Sequence, residues 1–345
     1  MAVSELVNYD ISSGLDVSHF SLVDPRSYRR ISIPGEQLMP TTVDDGVAER
    51  VVVDVYAKDR ISGSIDSRVH YTLLNRGVDD PGITLISLQI GGSFQDQGFQ
   101  DNVAELIRAN PSRRFLVFDN LGYGRSDPLA KSAARELVRT GRFDIYAETV
   151  HKVLSSVIED YDYLDIIGRS EGGLIGTEMI LHTEGARNVV VFDPPSTPMP
   201  LRKLFTKFAV LEKAHGEAYL EALSQAGFEK PEWDLSREQI AKMLITDLIF
   251  GRTAIQFRDG RTMAKGKYGD ILSEALPLIA NRYTFLSPQQ SEMNTPQFIR
   301  QMIINSANKA SQPPNELEHV VFNGTHAFAY GNSRALPTLE TQASE

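Results

Sequence analysis

The alternation of short apolar runs with helix-like segments between residues 83 and 198 constrains the fold of this chain most strongly. The apolar runs are ITLISLQI (83–90), FLVFDN (115–120), YLDII (163–167) and NVVVF (188–192). Nearly continuous runs of this length are typical of strands that are covered on both faces. Helix-like stretches with short connections separate them, so the pattern predicts an α/β fold with a mostly parallel central sheet and helices on both faces.

Strand-like segments also precede and follow this region. RVVVDVYA (50–57) and SRVHYTLLN (67–75) come before it, and RYTFL (282–286) and HVVFN (319–323) come after it. Residues 199 to 281, between NVVVF and RYTFL, read as helices joined by loops. This pattern predicts an inserted helical cap over the carboxyl ends of the strands. We therefore expect an N-terminal extension (1–48), the first part of the core (49–198), the helical cap (199–281), the second part of the core (282–333) and a polar tail (334–345).

Composition excludes several classes of protein. The 345 residues are 41% apolar, which is enough for a large core, and the net charge is -10. An acidic chain is a poor match for nucleic acid or for an anionic membrane. The chain has no cysteine, no secretory signal pattern and no apolar run long enough to span a membrane. We expect a cytoplasmic protein whose partner is a small-molecule substrate, and a homodimer stays open.

The stretch LDIIGRSEGGLIG (164–176) places a serine between glycines where a strand-like run gives way to a helix-like one. Gly168, Ser170 and Gly172 form the pattern G-x-S-x-G. The pattern alone is weak, but its position between strand and helix is that of a turn that holds a serine hydroxyl outward. The structural alternative is a plain tight turn.

Four features in order resemble the α/β-hydrolase fold superfamily, and specifically serine hydrolases with a helical cap. The resemblance covers about residues 50 to 330. QIGGS (89–93) resembles the H-G-x oxyanion loop, with Ile90 where histidine is frequent. DNLGYGRSD (119–127) resembles the D-x-x-G-x-G-x-S-D turn. The other two features are the nucleophile elbow at Ser170 and GTH (324–326) after the last predicted strand.

The resemblance implies a role for several residues. Ser170 would be the nucleophile, and His326 would be the base that takes its proton, because a serine hydroxyl is a poor nucleophile without one. Two backbone N–H groups would bind the oxyanion. Glu171 would supply one of them, and Gly92 the other by register, with Ser93 as the alternative. The 119–127 turn would be structural support.

The acid that orients the histidine is less clearly marked. The family commonly places it after the seventh strand and sometimes after the sixth. Glu292 lies in LSPQQSEMNTPQ after the seventh predicted strand, where the usual G-x-x-D turn is not recognisable. Asp193, at the end of NVVVF, is the rival. Glu292 is favoured, and a serine–histidine dyad or an unrelated carboxylate stays open.

The sequence thus predicts a serine hydrolase, of the carboxylic-ester or a related acyl-hydrolase class. It would cleave an ester, thioester, lactone or amide of a small, partly hydrophobic substrate through an acyl-enzyme on Ser170. No phosphate-binding loop and no metal-binding motif is present, so we expect neither cofactor nor metal. Two alternatives stay open: an acyltransferase or lyase on the same site, and a catalytically silent binding protein. The charges of Arg169 and Glu171 either tune the pocket or face solvent.

Overall fold

A computed structural model describes residues 43–57, 60–87, 110–200, 252–289, 291 and 293–322. In this part of the chain eight strands form one sheet in the order β1-β2-β4-β3-β5-β6-β7-β8. The strands are β1 (Val43–Ala57), β2 (Arg60–Leu74), β3 (Gly82–Ser87), β4 (Phe115–Phe118), β5 (Tyr163–Arg169), β6 (Ala186–Phe192), β7 (Arg282–Pro288) and β8 (Glu316–Phe322).

The sheet is mostly parallel, as the apolar runs predict. β2 pairs antiparallel with both β1 and β4. The other neighbours, from β4 through β3 and β5 to β8, are parallel. Every residue of β3 and β4 is buried, which explains why these strands read as unbroken apolar runs. The predicted α/β class is confirmed.

Six helices connect these strands in the described ranges. They are α1 (Lys131–Thr140), α2 (Asp144–Val157), α3 (Glu171–Met179), α4 (Arg252–Met263), α5 (Tyr268–Ala275) and α6 (Pro296–Lys309), and a 3-10 turn (Leu276–Leu278) follows α5. Local sequence explains several ends. The Thr295 hydroxyl accepts the N–H of Phe298 at 3.3 Å, and Pro296 takes the first helical position of α6. Gly141 ends α1 with φ 75°, a conformation that favours glycine.

Parallel register brings the carboxyl ends of six strands, β3 to β8, to one edge of the sheet. β3 and β5 are neighbours, and their onward connections run in opposite directions, from β3 to β4 and from β5 to β6. Open α/β sheets bind ligands at such a point of reversal. The loops after these strands therefore start side by side. The paired positions are Ser87 with Gly168, Arg169 with Phe192, Phe192 with Leu286, and Pro288 with Phe322.

The opposite edge of the sheet carries a buried ion network. The fully buried Asp165 pairs with the guanidinium groups of Arg113 and Arg187, the latter at 2.7 Å. Asn188 donates to the same carboxylate at 2.9 Å. Buried charges are tolerated when they are paired and hydrogen-bonded, so this network fixes the strand starts.

Several elements differ from the sequence-based prediction. β1 begins at Val43 instead of Arg50, because it pairs with β2 along its whole length despite an acidic, glycine-containing start. The short helix α1 was missed, since only Ala133 and Leu137 of its ten residues are buried. α3 begins at Glu171, directly after the serine, because close packing on β5 overrides the poor helix propensity of its glycines.

Much of the predicted cap lies outside the described residues. Residues 201–251, the N-terminal residues 1–42 and the residues from 323 onward belong to that part. Within 252–281, side chains of α4, α5 and the 3-10 turn join the main core, including Met263, Tyr268, Leu272 and Leu276. The cap, the extension and the polar tail stay predictions. Among the helices that are described, none has the length and apolar character needed to cross a bilayer.

Candidate active site

Ser170 occupies the tip of the turn between β5 and α3 in a conformation that side-chain-bearing residues rarely adopt. Its backbone has φ 53° and ψ -124°. The N–H of Ser170 donates to the carbonyl oxygen of Phe192 at 2.8 Å, and its own carbonyl accepts the N–H of Gly173 at 3.0 Å. These bonds hold the residue on both sides. The geometry is that of the sharp strand-to-helix turn predicted from G-x-S-x-G.

Close packing leaves little room for a side chain at two glycines of this turn. A Cβ added at Gly168 would lie 2.4 Å from the carbonyl oxygen of Gly172 and 2.7 Å from the Cα of Gly173. A Cβ added at Gly173 would lie 3.1 Å from the Cβ of Pro194. The first turn of α3 therefore lies directly against the end of β5, and the glycine at position 168 has a steric cause.

A helix-capping role does not account for Ser170. Serine at the residue before a helix usually accepts a backbone N–H through its hydroxyl, but Ser170 makes no such side-chain bond to α3. The first N–H groups of a helix, here beginning with that of Glu171, have no acceptor within it and favour negative charge nearby. The serine thus stands beside donors that suit an oxyanion.

Asp193 lies at the same edge, directly after β6. It is fully buried and has φ 38°. Its N–H donates to the carbonyl of Leu286 at 2.9 Å, which ties it to β7. One carboxylate oxygen accepts the Ser291 hydroxyl at 2.5 Å and the other accepts the Asn294 amide at 2.9 Å. This is a buried carboxylate held in a fixed orientation.

The loop after β7 braces the loop after β6 through Asn294. Its amide nitrogen also donates to the carbonyl of Pro194 at 2.9 Å. Its amide oxygen accepts the N–H of Ser196 at 3.1 Å and the hydroxyl of Thr197 at 3.2 Å. Sequence reasoning missed Ser291 and Asn294, and the only available signal was the run of small polar residues around Glu292.

Several predicted site residues lie outside the part of the chain that the structure describes. These are His326, Glu292 and the two candidates for the second oxyanion donor, Gly92 and Ser93. Of the predicted residues, the structure brings Ser170, Glu171 and Asp193 together at one edge. β3 ends beside Gly168, and β8 ends beside β7, so the chain leading to the undescribed residues leaves from this edge.

The hydrogen bonds of the 119–127 turn are those of a structural support, the role predicted for it. Asp119 is fully buried and accepts the N–H of Arg125 at 3.0 Å. Its second contact is Nδ1 of His70, at 3.1 Å. The Ser126 hydroxyl donates to the carbonyl of Asp119 at 2.6 Å. These bonds close the turn on itself and attach it to β2.

A serine–histidine contact lies within the sheet. Nε2 of His319 in β8 is 2.9 Å from the hydroxyl oxygen of Ser287 in β7. Both residues are buried, and burial lowers the pKa of His319 to about 4. Ser287 sits in a regular strand rather than in a strained turn, so this pair reads as structural.

Glu171 does not face solvent. Its side chain is fully buried, and neither carboxyl oxygen has a hydrogen-bond partner in the described part of the chain. Burial raises the pKa of Glu171 well above the usual range, and the charge of Asp259 raises it further while that of Arg258 lowers it. Of the two readings that the sequence left open, exposure to solvent is wrong for this side chain.

A buried polar cluster lies within electrostatic reach of Glu171. Asp259 of α4 accepts the hydroxyl of Tyr123 at 2.6 Å, that of Tyr146 at 3.3 Å and Nε of Arg258 at 2.7 Å. Burial raises the pKa of both tyrosines, so both hydroxyls keep their protons and donate. Sequence reasoning missed this cluster because its members come from three distant segments.

No metal centre is evident in the described residues, where no group of three or more His, Cys, Asp and Glu side chains is placed to hold an ion. This edge instead brings together a strained serine at a helix N-terminus, a fixed carboxylate one strand away and a buried carboxyl on the residue after the serine.

The strand order, the antiparallel start of the sheet and the strand–serine–helix turn together are the α/β-hydrolase fold. No protein-family model matches the sequence, and no curated protein matches it.

Among solved structures, the chain is similar to an esterase of Pyrococcus furiosus, with 12% identity, TM-score 0.47 and coverage of 80% of this chain and 82% of that one. It is also similar to an α/β hydrolase from a Medee basin deep-sea metagenome library (16%, TM-score 0.49, 76% and 89%). A third similar structure is the enol-lactonase of Burkholderia xenovorans (19%, TM-score 0.46, 76% and 90%).

Proposed function

We propose that the protein is a serine hydrolase in which Ser170 attacks an acyl carbonyl and water releases the acyl-enzyme. The observation that carries the proposal is the positive φ of 53° at a serine whose hydroxyl caps no helix. Such a conformation costs about 1–3 kcal/mol in a residue with a side chain. Glycine would make the same turn without that cost, so a serine kept there is best explained by its hydroxyl.

We assign the base and the oxyanion donors that act with Ser170 from their positions in the sequence and at the ends of the strands. His326 takes the hydroxyl proton and later passes it to the leaving group. The N–H of Glu171 and that of Gly92, or of Ser93 in its place, hold the oxyanion. The position of Glu171 in the first turn of α3, and the end of β3 beside Gly168, support this assignment.

For the third member of the triad we propose Asp193, with Glu292 as the alternative. Asp193 is buried, and the hydrogen bonds from Ser291 and Asn294 hold its carboxylate in one orientation. A fixed orientation is what an acid needs in order to orient a histidine. Asp193→Asn is expected to lower kcat on the order of 10³-fold, while Glu292→Gln changes it little. The reverse result would assign the acid to Glu292.

The substrate class that fits this chemistry is a small, partly hydrophobic ester, thioester, lactone or amide. The test is turnover of p-nitrophenyl esters, an acyl thioester, a lactone and an anilide by wild type and by Ser170→Ala. We expect a burst of p-nitrophenolate from wild type and no turnover by the variant. Equal turnover by both proteins would contradict the proposal.

The same assay separates the other classes. With an added alcohol, an acyltransferase would yield the new ester in place of the free acid, and a lyase would yield an elimination product. A silent binding protein would turn over none of the panel. The cytoplasmic location and the homodimer stay predictions.

A further inference from the structure

Glu171 differs from the other buried glutamate of its helix in having no hydrogen-bond partner for its side chain among the described residues. Glu178 is also fully buried, but it accepts Nε of Arg142 at 2.6 Å and the backbone N–H of Phe143 at 2.6 Å. Both oxygens of Glu171 lack a hydrogen bond in the described part of the chain. Leaving a buried polar group unsatisfied costs about 1–3 kcal/mol. A buried group of this kind next to the nucleophile calls for a functional explanation.

Among the described residues, the donors that interact electrostatically with Glu171 are engaged with Asp259. Asp259 accepts four hydrogen bonds, one from each of the hydroxyls of Tyr123 and Tyr146 and two from the guanidinium of Arg258. Arg258 and Asp259 neutralise each other. An ionised Glu171 would therefore add an uncompensated negative charge in a buried place, which is costly. A carboxyl group that keeps its proton avoids this cost and has an O–H to donate.

We propose that Glu171 is a specificity-determining residue whose neutral carboxyl hydrogen-bonds an uncharged, oxygen-bearing group of the substrate, such as a hydroxyl, close to the scissile acyl carbon. This inference rests on the proposed function, because it is the attack by Ser170 that brings the acyl group next to Glu171. A carboxyl group that is unpartnered before the substrate binds gains its hydrogen bond when the substrate arrives.

The charges of the cluster select against ionic substrates. An anionic group would meet the carboxylate of Asp259, while the one guanidinium of the cluster, that of Arg258, is already paired. A cationic group would lose its hydration and would have to pair with an ionised Glu171. The attraction within a buried ion pair offsets this desolvation only when its geometry is very good. A neutral hydroxyl meets neither cost.

The test compares p-nitrophenyl butyrate with p-nitrophenyl 3-hydroxybutyrate, which share a leaving group and a chain length. In wild type, kcat/KM for the hydroxy ester should exceed that for the plain ester by about 3–10-fold, as expected for one neutral hydrogen bond. Glu171→Gln keeps a neutral donor and should keep this ratio. Glu171→Leu should reduce it to about one. An unchanged ratio in Glu171→Leu would overturn the proposal.

Two further arms complete the design. Glu178→Gln, a buried glutamate on the same helix, should keep the wild-type ratio. The p-nitrophenyl ester of betaine, which carries a quaternary ammonium, tests the ionic reading. A wild-type preference for this ester that disappears in Glu171→Gln would overturn the proposal in favour of a cation site.

A measurement without turnover separates failure of this inference from failure of the proposed function. The infrared difference spectrum between wild type and Glu171→Gln at neutral pH should contain the C=O band of a protonated carboxyl. A difference confined to carboxylate bands would overturn the inference even in an active hydrolase. Absence of ester turnover together with absence of a fluorophosphonate adduct on Ser170 would instead overturn the proposed function. The infrared spectrum would still report whether Glu171 is protonated.

Discussion

The backbone N–H of Ser170 donates a 2.8 Å hydrogen bond to the carbonyl oxygen of Phe192, the residue that precedes Asp193. Asp193 is tied in turn to β7, through its N–H and the carbonyl of Leu286 at 2.9 Å. The serine and the buried carboxylate thus belong to one hydrogen-bonded edge of the sheet. Sites built on regular elements hold their groups more precisely than sites on loops.

The strain at Ser170 should be measurable as stability. Ser170→Gly and Ser170→Ala both remove the hydroxyl, but only glycine relieves a φ of 53°. We expect the glycine variant to exceed the alanine variant by about 1 kcal/mol in the free energy of unfolding by urea. Equal stability of the two variants would show that the turn is not strained.

The packing of the turn predicts a large effect at Gly168. Its added Cβ would overlap the backbone of Gly172 and Gly173, so Gly168→Ala should lose about 2–3 kcal/mol in the free energy of unfolding. Gly77→Ala is the matched control, since its Cβ would have no heavy atom within 4 Å. A similar loss in both variants would refute the steric account of the motif.

The buried carboxyl of Glu171 predicts a pH-dependent stability difference. Burial raises the pKa of Glu171 in the folded protein above that of a glutamate in the unfolded chain, so the native state holds a proton that the unfolded chain has lost. Wild type then loses stability as pH rises, by at most about 1.4 kcal/mol per pH unit, up to the folded-state pKa. Glu171→Gln lacks this loss.

We therefore expect Glu171→Gln to gain stability relative to wild type between about pH 5 and pH 7. Urea unfolding of both proteins at these two pH values measures the gain, and the other titrating groups cancel in the comparison. A difference that is the same at both values would mean that the pKa of Glu171 is not raised.

Asn294 is expected to act as a positioning residue for Asp193. Asn294→Ala removes the amide that holds one carboxylate oxygen, so kcat should fall about tenfold while KM changes little. The control is Asn281→Ala, which removes a 2.8 Å hydrogen bond to Asn188 at the opposite edge of the sheet and should leave kcat unchanged. A rise in KM with constant kcat would instead indicate a substrate contact at Asn294.

The parallel sheet could be predicted because its strands are short apolar runs separated by helical patterns, and burial on both faces leaves that signature. The start of β1 at Val43 could not, because its early residues are held by pairing with β2 rather than by their own propensity. The helix α1 escaped notice because little of it is buried.

For the site, the turn at Ser170 was predictable because a sharp strand-to-helix turn imposes glycines at fixed spacing. The bonds from Ser291 and Asn294 to Asp193 leave no such pattern, because small polar residues are common in any loop. The buried environment of Glu171 was not predictable either, since Arg258 and Asp259 approach it from a distant helix.

The most direct test of the central claim is reaction of the protein with a fluorophosphonate, followed by peptide mapping by mass spectrometry. The control variant is Ser287→Ala, which removes the serine of the structural contact with His319. We predict an adduct on the peptide that contains Ser170 in wild type and in Ser287→Ala, and no adduct in Ser170→Ala. Equal labelling of Ser170→Ala, or an adduct confined to another serine, would contradict the assignment of Ser170 as the nucleophile.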